Sequence, residues 1–210
     1  AAGVQRGDRV GLWAPNSAEW IVIALGIQSV GAALVPINTR YKPGEAAYPL
    51  QKTKAKMLFT ADGFMGIEGE AVVAKIRQEG GPDIRIINID GDEAKEDSLS
   101  SFLSSAQSND GDHRARNFKD IAASTLCDIM FTSGSTGKPK GVRHLHGPTV
   151  RQTFNTIEEN NLTDADRMLV INPFFHVFGY TGGWVPALFS GATVYPLPVF
   201  DVDQVLELIQ

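Results

Sequence analysis

The chain carries one cysteine, Cys127, in 210 residues. No internal disulfide can staple it, and a reducing compartment, the cytoplasm, is the expected location. No uninterrupted apolar run of about 18 residues appears, of the kind that crosses a bilayer as a helix, and no charged-then-apolar leader opens the chain. Without a secretory context the Asn161-Leu162-Thr163 glycosylation sequon is discounted. Positive charge is outnumbered: 19 Lys and Arg against 24 Asp and Glu give a net charge of −5. That argues against nucleic acid as a general partner and leaves a local phosphate site open. The histidines, carboxylates and lone cysteine never fall at metal-ligand spacing, so no protein-held metal is expected.

What is present is an ordinary globular composition, 43% hydrophobic and 20% charged. A chain of this length hides roughly 70% of its unfolded surface and makes one or two domains. Residues 9–14 read as a strand. A helix over 17–30 follows, capped by Asn16 or Ser17 with Glu19 placed to close a capping box. Its apolar residues run nearly all round, which predicts burial. Gly31 ends it, residues 32–37 form a second strand, and the three make a βαβ unit. A helix begins at Pro43 and should kink or end at Pro49. Strands over 56–60 and 84–89 flank a helix over 68–78. The alternation implies a parallel sheet in a layered α/β/α arrangement. Residues 91–120 turn to Asp, Glu, Ser and Asn and read as a mobile connector with one short helix around Leu99, Phe102 and Leu103. Beyond Val142 the pattern gives a helix from Pro148 to Glu159, a strand over 167–172, an apolar helix ending near Ser190, a strand over 192–197 and a helix from Asp201. This second run reads as the start of another α/β layer. It stops at Gln210 within an element, and Ala1 opens as abruptly, so an incomplete chain is expected.

The stretch with chemistry in it is Asp128-Ile-Met-Phe-Thr-Ser-Gly-Ser-Thr-Gly-Lys-Pro-Lys-Gly-Val142. Ile129 to Phe131 look like the end of a buried strand. Thr132 to Lys140 then supply four hydroxyls, two glycines and two lysines. Glycines let backbone N–H groups approach a ligand closely, hydroxyls donate to terminal oxygens and a lysine adds a compact positive charge, a set suited to a polyphosphate. The commoner phosphate and nucleophile motifs fail on spacing. A Walker loop would need glycine at Thr132 and a hydroxyl at Pro139; an esterase elbow would need glycine at Ser133; no G-x-G-x-x-G occurs.

The run resembles, nearly letter for letter, the phosphate-loop signature of the adenylate-forming superfamily, which includes acyl-CoA synthetases, luciferases and the adenylation domains of peptide synthetases. Gly7 to Trp20 and Gly31 to Arg40 resemble the opening βαβ of fatty-acyl-CoA synthetases, and Asn172-Pro-Phe-Phe-His-Val-Phe-Gly179 resembles their next signature. Among relatives the likeness is greatest to bacterial acyl-CoA ligases of the fatty-acid or steroid-degradation type. It implies an acyl-CoA synthetase-like N-terminal domain, present in part. Residues 1–146, with the phosphate loop at 128–142, would be its first α/β subdomain and 147–210 the start of a second.

The resemblance implies an ATP-dependent, AMP-forming ligase using a carboxylic acid, ATP with its Mg²⁺, and coenzyme A. Thr132, Ser133, Ser135 and Thr136 would donate hydroxyls to phosphate, Gly134 and Gly137 their N–H groups, and Lys138 its charge. Lys140 would either bind phosphate or brace the loop. His176 would lie beside the acyl carboxylate and nucleotide; on residue type alone, without the phosphate loop upstream, it reads instead as a core histidine among Phe174, Phe175 and Phe178. His144 reads as solvent-facing and His146 as a helix cap. Phe178-Gly-Tyr-Thr-Gly182 lacks the glutamate of the family's later Tyr-Gly-x-Thr-Glu signature and is not that signature. Pro49 and Phe131, where many relatives have a non-proline and a tyrosine, also depart from the pattern. The competing readings are a non-catalytic polyphosphate-binding or assembly module, and a luciferase or adenylation-domain relative with another acceptor. A homodimer is left open.

Overall fold

A computed structural model describes residues 3–91, 95–107, 121–132 and 137–209. Four strands, β1 (Arg9–Trp13), β2 (Ala33–Pro36), β3 (Met57–Thr60) and β4 (Arg85–Asn88), alternate with helices α1 (Ala18–Ser29), α2 (Pro43–Thr53) and α3 (Gly69–Gln78). After α4 (Leu99–Gln107) come β5 (Leu126–Thr132) and β6 (Lys140–Leu145), which complete a six-stranded sheet of order β4-β3-β1-β2-β5-β6. Five strands are parallel, and β6 runs antiparallel to β5 at the edge. The remainder is α5 (His146–Asn160), β7 (Arg167–Val170), a short α6 (Val177–Gly179), a π turn (Tyr180–Trp184), α7 (Val185–Ser190), β8 (Thr193–Pro196) and α8 (Val202–Ile209). Strands β7 and β8 pair in parallel as a separate two-stranded sheet.

Side chains alternate across the large sheet as strand geometry requires. Val10, Leu12, Leu34, Met57 and Phe59 share a core with Trp20, Ile23 and Ile27 of α1. Trp13, Val35 and Leu58 point the other way, into a core with Ala46, Ala47 and Leu50 of α2 and Val72, Val73 and Ile76 of α3. Gly11 is fitted to this second layer: a Cβ there would come within 2.5 Å of Leu50 and 2.8 Å of Leu58. The α1 core continues into Val170, Phe174, Tyr180, Trp184 and Val185, so both sheets share one apolar centre. Trp20 is its hub, meeting Phe174, Trp184 and Tyr180 edge-on at 5.4, 5.9 and 6.3 Å.

Several expectations need correcting. Ser17 alone caps α1, its side chain accepting the N–H of Trp20 at 3.1 Å, so Glu19 is one position too early for a capping box. Asn16 is drawn elsewhere by long-range bonds given below. Helix α1 is not buried all round, because Val22 is 65% and Leu25 37% exposed. Pro49 neither ends nor visibly divides α2. The carbonyl it orphans, that of Glu45, lies in an exposed first turn where water can replace the lost bond. The strand β6 was not expected, and α5 starts at His146 rather than Pro148. Gly31 does end the α1 turn, in the left-handed region at φ +72°. Of the connector, α4 packs Leu99 and Phe102 on the core while Leu103 is exposed, and positions 92–94 and 108–120 lie outside the described residues.

Candidate functional site

Strand β5 carries the hydroxyl- and glycine-rich loop out of the carboxyl edge of the parallel sheet, where α/β proteins gather ligands. The loop is the turn of a hairpin: Met130, Phe131 and Thr132 pair with Val142, Gly141 and Lys140. Gly141 sits close against this pairing, since a Cβ there would meet Ile129 at 3.0 Å and Phe131 at 3.2 Å. Of the expected phosphate ligands, Ser133, Gly134, Ser135 and Thr136 lie outside the described residues. Thr132, Gly137, Lys138 and Lys140 are described and exposed. Lys140 is the first residue of β6, and its carbonyl receives the Thr132 hydroxyl at 3.5 Å, so its backbone braces the loop while its side chain stays at the surface.

Lys138 is held on one flank. Its Nζ lies 5.6 Å from the centre of the Tyr48 ring on α2, and that ring meets Phe131 edge-on at 6.1 Å. A cation over an exposed ring gains about 0.5–1 kcal/mol. Tyr41, Tyr48, Gln51, Lys75, Glu79 and Lys138 help line a cavity of about 470 Å³ at this shoulder.

Beneath the loop is a polar cluster that sequence reasoning missed. Asp128 is 1% exposed and lies opposite His144 across the hairpin, with His144 Nδ1 2.5 Å from Asp128 Oδ1. His144 is therefore a buried carboxylate's partner rather than a solvent-facing residue. The hydrogen bond to Asp128 raises the His144 pKa above the ordinary histidine value against the opposing effect of burial. His146 is the first residue of α5, not its cap; Leu145 occupies the cap position. Burial lowers the His146 pKa, with the Asp128 charge acting the other way. Next to Asp128, burial pushes the Cys127 thiol well above its usual range, and Gln28 donates to both Cys127 Sγ at 3.0 Å and the Tyr180 hydroxyl at 2.6 Å. Cys127 is thus a buried neutral thiol, not a nucleophile.

The turn bearing His176 is built by Asn16. Its Oδ1 accepts the N–H of Phe174 at 2.7 Å, and its Nδ2 donates to the carbonyl of Asn172 at 2.9 Å and of Val170 at 3.4 Å. Side-chain amides satisfy backbone groups this way where a chain leaves a strand without a new ladder partner. Gly179 lets the turn close, because a Cβ there would run into the carbonyls of Asn172 and Pro173. Phe174 goes into the aromatic core, whereas His176, Val177 and Phe178 stay exposed. His176 is therefore not the core histidine of the alternative reading. Its Nδ1 accepts the Phe178 N–H at 3.3 Å, a bond that helps to orient the ring. Among the described residues no group of three His, Cys, Asp or Glu side chains could hold a metal ion.

The class so defined is an α/β protein with a glycine- and hydroxyl-rich loop at the carboxyl edge of its sheet and an ordered histidine turn tied to the same edge. All of residues 1–210 match the AMP-binding enzyme family, and the chain belongs to it. It is 39% identical over 213 residues to a 3-[(3aS,4S,7aS)-7a-methyl-1,5-dioxo-octahydro-1H-inden-4-yl]propanoyl:CoA ligase of Rhodococcus jostii, covering 98% of this chain and 41% of that protein. It is 31% identical to the long-chain-fatty-acid–CoA ligase FadD13 of Mycobacterium tuberculosis, covering 100% of this chain and 38% of the relative. Among solved structures, the anthranilate CoA ligase AuaEII in complex with anthranoyl-AMP superposes with a TM-score of 0.81 at 28% identity, over 99% of this chain and 39% of the other. The chain thus spans about two fifths of the length of the curated relatives it matches. No helix among the described residues is long and apolar enough to cross a membrane.

Proposed function

We propose that these residues supply the polyphosphate site of an ATP-dependent acyl-CoA ligase acting on an apolar carboxylic acid in the cytoplasm. The carrying observation is the Asp128–Val142 run, set as a hairpin loop at the carboxyl edge of the sheet. In the first half-reaction a carboxylate oxygen attacks the α-phosphorus of ATP, the bond to the β-phosphate bridging oxygen breaks, and pyrophosphate leaves from acyl-AMP. In the second, the coenzyme A thiolate attacks the acyl carbon and AMP departs with its phosphate oxygen. Pyrophosphate leaves with several negative charges, so donors fixed on the β- and γ-phosphates before reaction lower the first barrier. Thr132, Ser133, Ser135 and Thr136 supply hydroxyls, Gly134 and Gly137 backbone N–H groups, and Lys138 a positive charge; Lys140 adds long-range attraction. Mg²⁺ enters with ATP and neutralises phosphate charge when bound. The exposed His176 lies beside the acyl carboxylate and nucleotide, at the junction of a first subdomain, 1–146, and the start of a second, 147–210.

Carboxylate-dependent ATP–pyrophosphate exchange by protein made from the complete reading frame tests the proposal. Lys138→Ala should lower kcat/KM for ATP by about 10²-fold, of the order seen for one lost donor to a developing charge. The 210 residues alone should show no exchange. No exchange from the complete protein with any fatty, steroid-like or aromatic acid would overturn the ligase reading. A polyphosphate-binding assembly module is the second reading, favoured by the apolar side chains left exposed on α5 to α8. Nucleotide binding without exchange, together with oligomers in light scattering, would support it.

A further inference from the structure

The flank of the loop holds a residue to which the phosphate chemistry gives no role. Tyr48, on α2, touches both shoulders of the loop at once: Phe131, where β5 ends, and Lys138, before β6 begins. Lys138 has carboxylates nearby, since Glu45 and Glu79 line the same cavity. Both are engaged elsewhere. Glu45 accepts the backbone N–H of Lys42 at 2.9 Å, and Glu79 accepts Gln51 Nε2 at 2.7 Å with Lys75 3.9 Å away. Among the described residues no carboxylate forms an ion pair with Lys138, whose ammonium rests on the ring instead. The distinction matters chemically. A carboxylate would neutralise the lysine, whereas a π face restrains it and leaves its whole charge for an arriving anion.

We propose that Tyr48 is a positioning residue that holds Lys138 ready, charged and ordered, for the β- and γ-phosphates. The inference rests on the polyphosphate reading of the loop. The ring face does the holding, and the hydroxyl is dispensable. Part of the rotamer freedom that a free lysine would lose on binding is already lost before the ligand arrives.

The test is calorimetric titration of the complete protein with ATP, with inorganic tripolyphosphate and with AMP. Tyr48→Phe should bind all three within about 2-fold of wild type. Tyr48→Leu should weaken ATP and tripolyphosphate by about 3–5-fold, within the cost of immobilising one free side chain on binding, and leave AMP unchanged. In a Lys138→Ala background the same Tyr48→Leu change should have no further effect. Tyr48→Met replaces the leucine variant if thermal unfolding shows that the latter is not folded. Tripolyphosphate binding equal to wild type in the leucine variant would overturn the inference, as would an equal loss for AMP or a loss that persists without Lys138. Wild-type protein that binds neither ATP nor tripolyphosphate would overturn the phosphate-loop reading itself, and this inference with it.

Discussion

The two sheets bury themselves to different degrees. In the large sheet, β2 and β3 are buried at every residue and β1 at all but its first, because α1 covers one face and α2 with α3 the other. In the small sheet, β7 has one buried residue and β8 none, and α8 has none either. The large sheet closes one core of its own against α2 and α3 and shares the other, on the α1 side, with the small sheet, which is buried there through a few large side chains. Stability should therefore respond sharply to changes at the junction and hardly at all to changes on the outer helices.

Trp20 is where the difference can be broken most directly. It is fully buried and joins α1 to Phe174, Tyr180 and Trp184. Trp20→Ala should destabilise the protein by about 3–5 kcal/mol, as deletion of a buried aromatic generally does. Denaturant unfolding followed by circular dichroism checks this. Two separate transitions in the variant, against one in wild type, would show that the residue couples the units. Asn16→Ala comes next, at about 2–3 kcal/mol, since it leaves the buried N–H of Phe174 without an acceptor and frees two carbonyls. The same variant should loosen the His176 turn, read as faster amide exchange at residues 174–180 with little change in the β1–β3 strands.

How much of this was legible follows from where the determining contacts lie. The βαβ opening, the helix start at Pro43 and the loop run are local signals, and all could be read from neighbouring residues. Asn16 could not, because Ser17 competed for the cap and the bonds that decide between them come from residues more than 150 positions away. Strand β6 was hidden for another reason. Lys140 to Arg143 are exposed on both faces of an edge strand, so no apolar alternation marks it. A signal did exist: Asp128 and His144, like Thr132 and Lys140, are equidistant from the loop's middle, as in-register hairpin partners must be. Reading the loop as a hairpin would have paired the carboxylate with the histidine. Of the loop's own geometry, Ser133 to Thr136 lie outside the described residues.

The Asp128–His144 pair gives a smaller effect with a definite sign. His144 has a raised pKa in the folded protein because of Asp128. Its contribution is therefore fully present below the unfolded value, about 6.5, and is lost as pH rises through the higher folded value. His146, lowered by burial, works the other way: its contribution is present above about 6.5 and lost as pH falls. Wild type should thus show a shallow profile. His144→Gln should be destabilised by about 1–2 kcal/mol at pH 6 and by less at pH 9, since the bonded carboxylate stays buried throughout. A constant difference across that range would show that His144 is not charged in the fold.

The outer helix should respond least, and in a different observable. Val202, Leu206 and Ile209 recur at helical spacing on α8 and are 57%, 55% and 70% exposed. Burial of a side chain is what makes its truncation costly, and these side chains are largely in water already. Val202→Ser with Ile209→Ser should therefore change the unfolding free energy by less than about 0.5 kcal/mol each. The double variant should instead lower the association of the 210-residue chain with itself, measured by sedimentation, because exposed apolar stripes are the surfaces on which copies meet. A loss of stability comparable to that of Asn16→Ala would mean that α8 packs on the fold in solution. In that case the second unit closes more of its own core than its strands suggest, and the contrast between the sheets narrows to β7 and β8 alone.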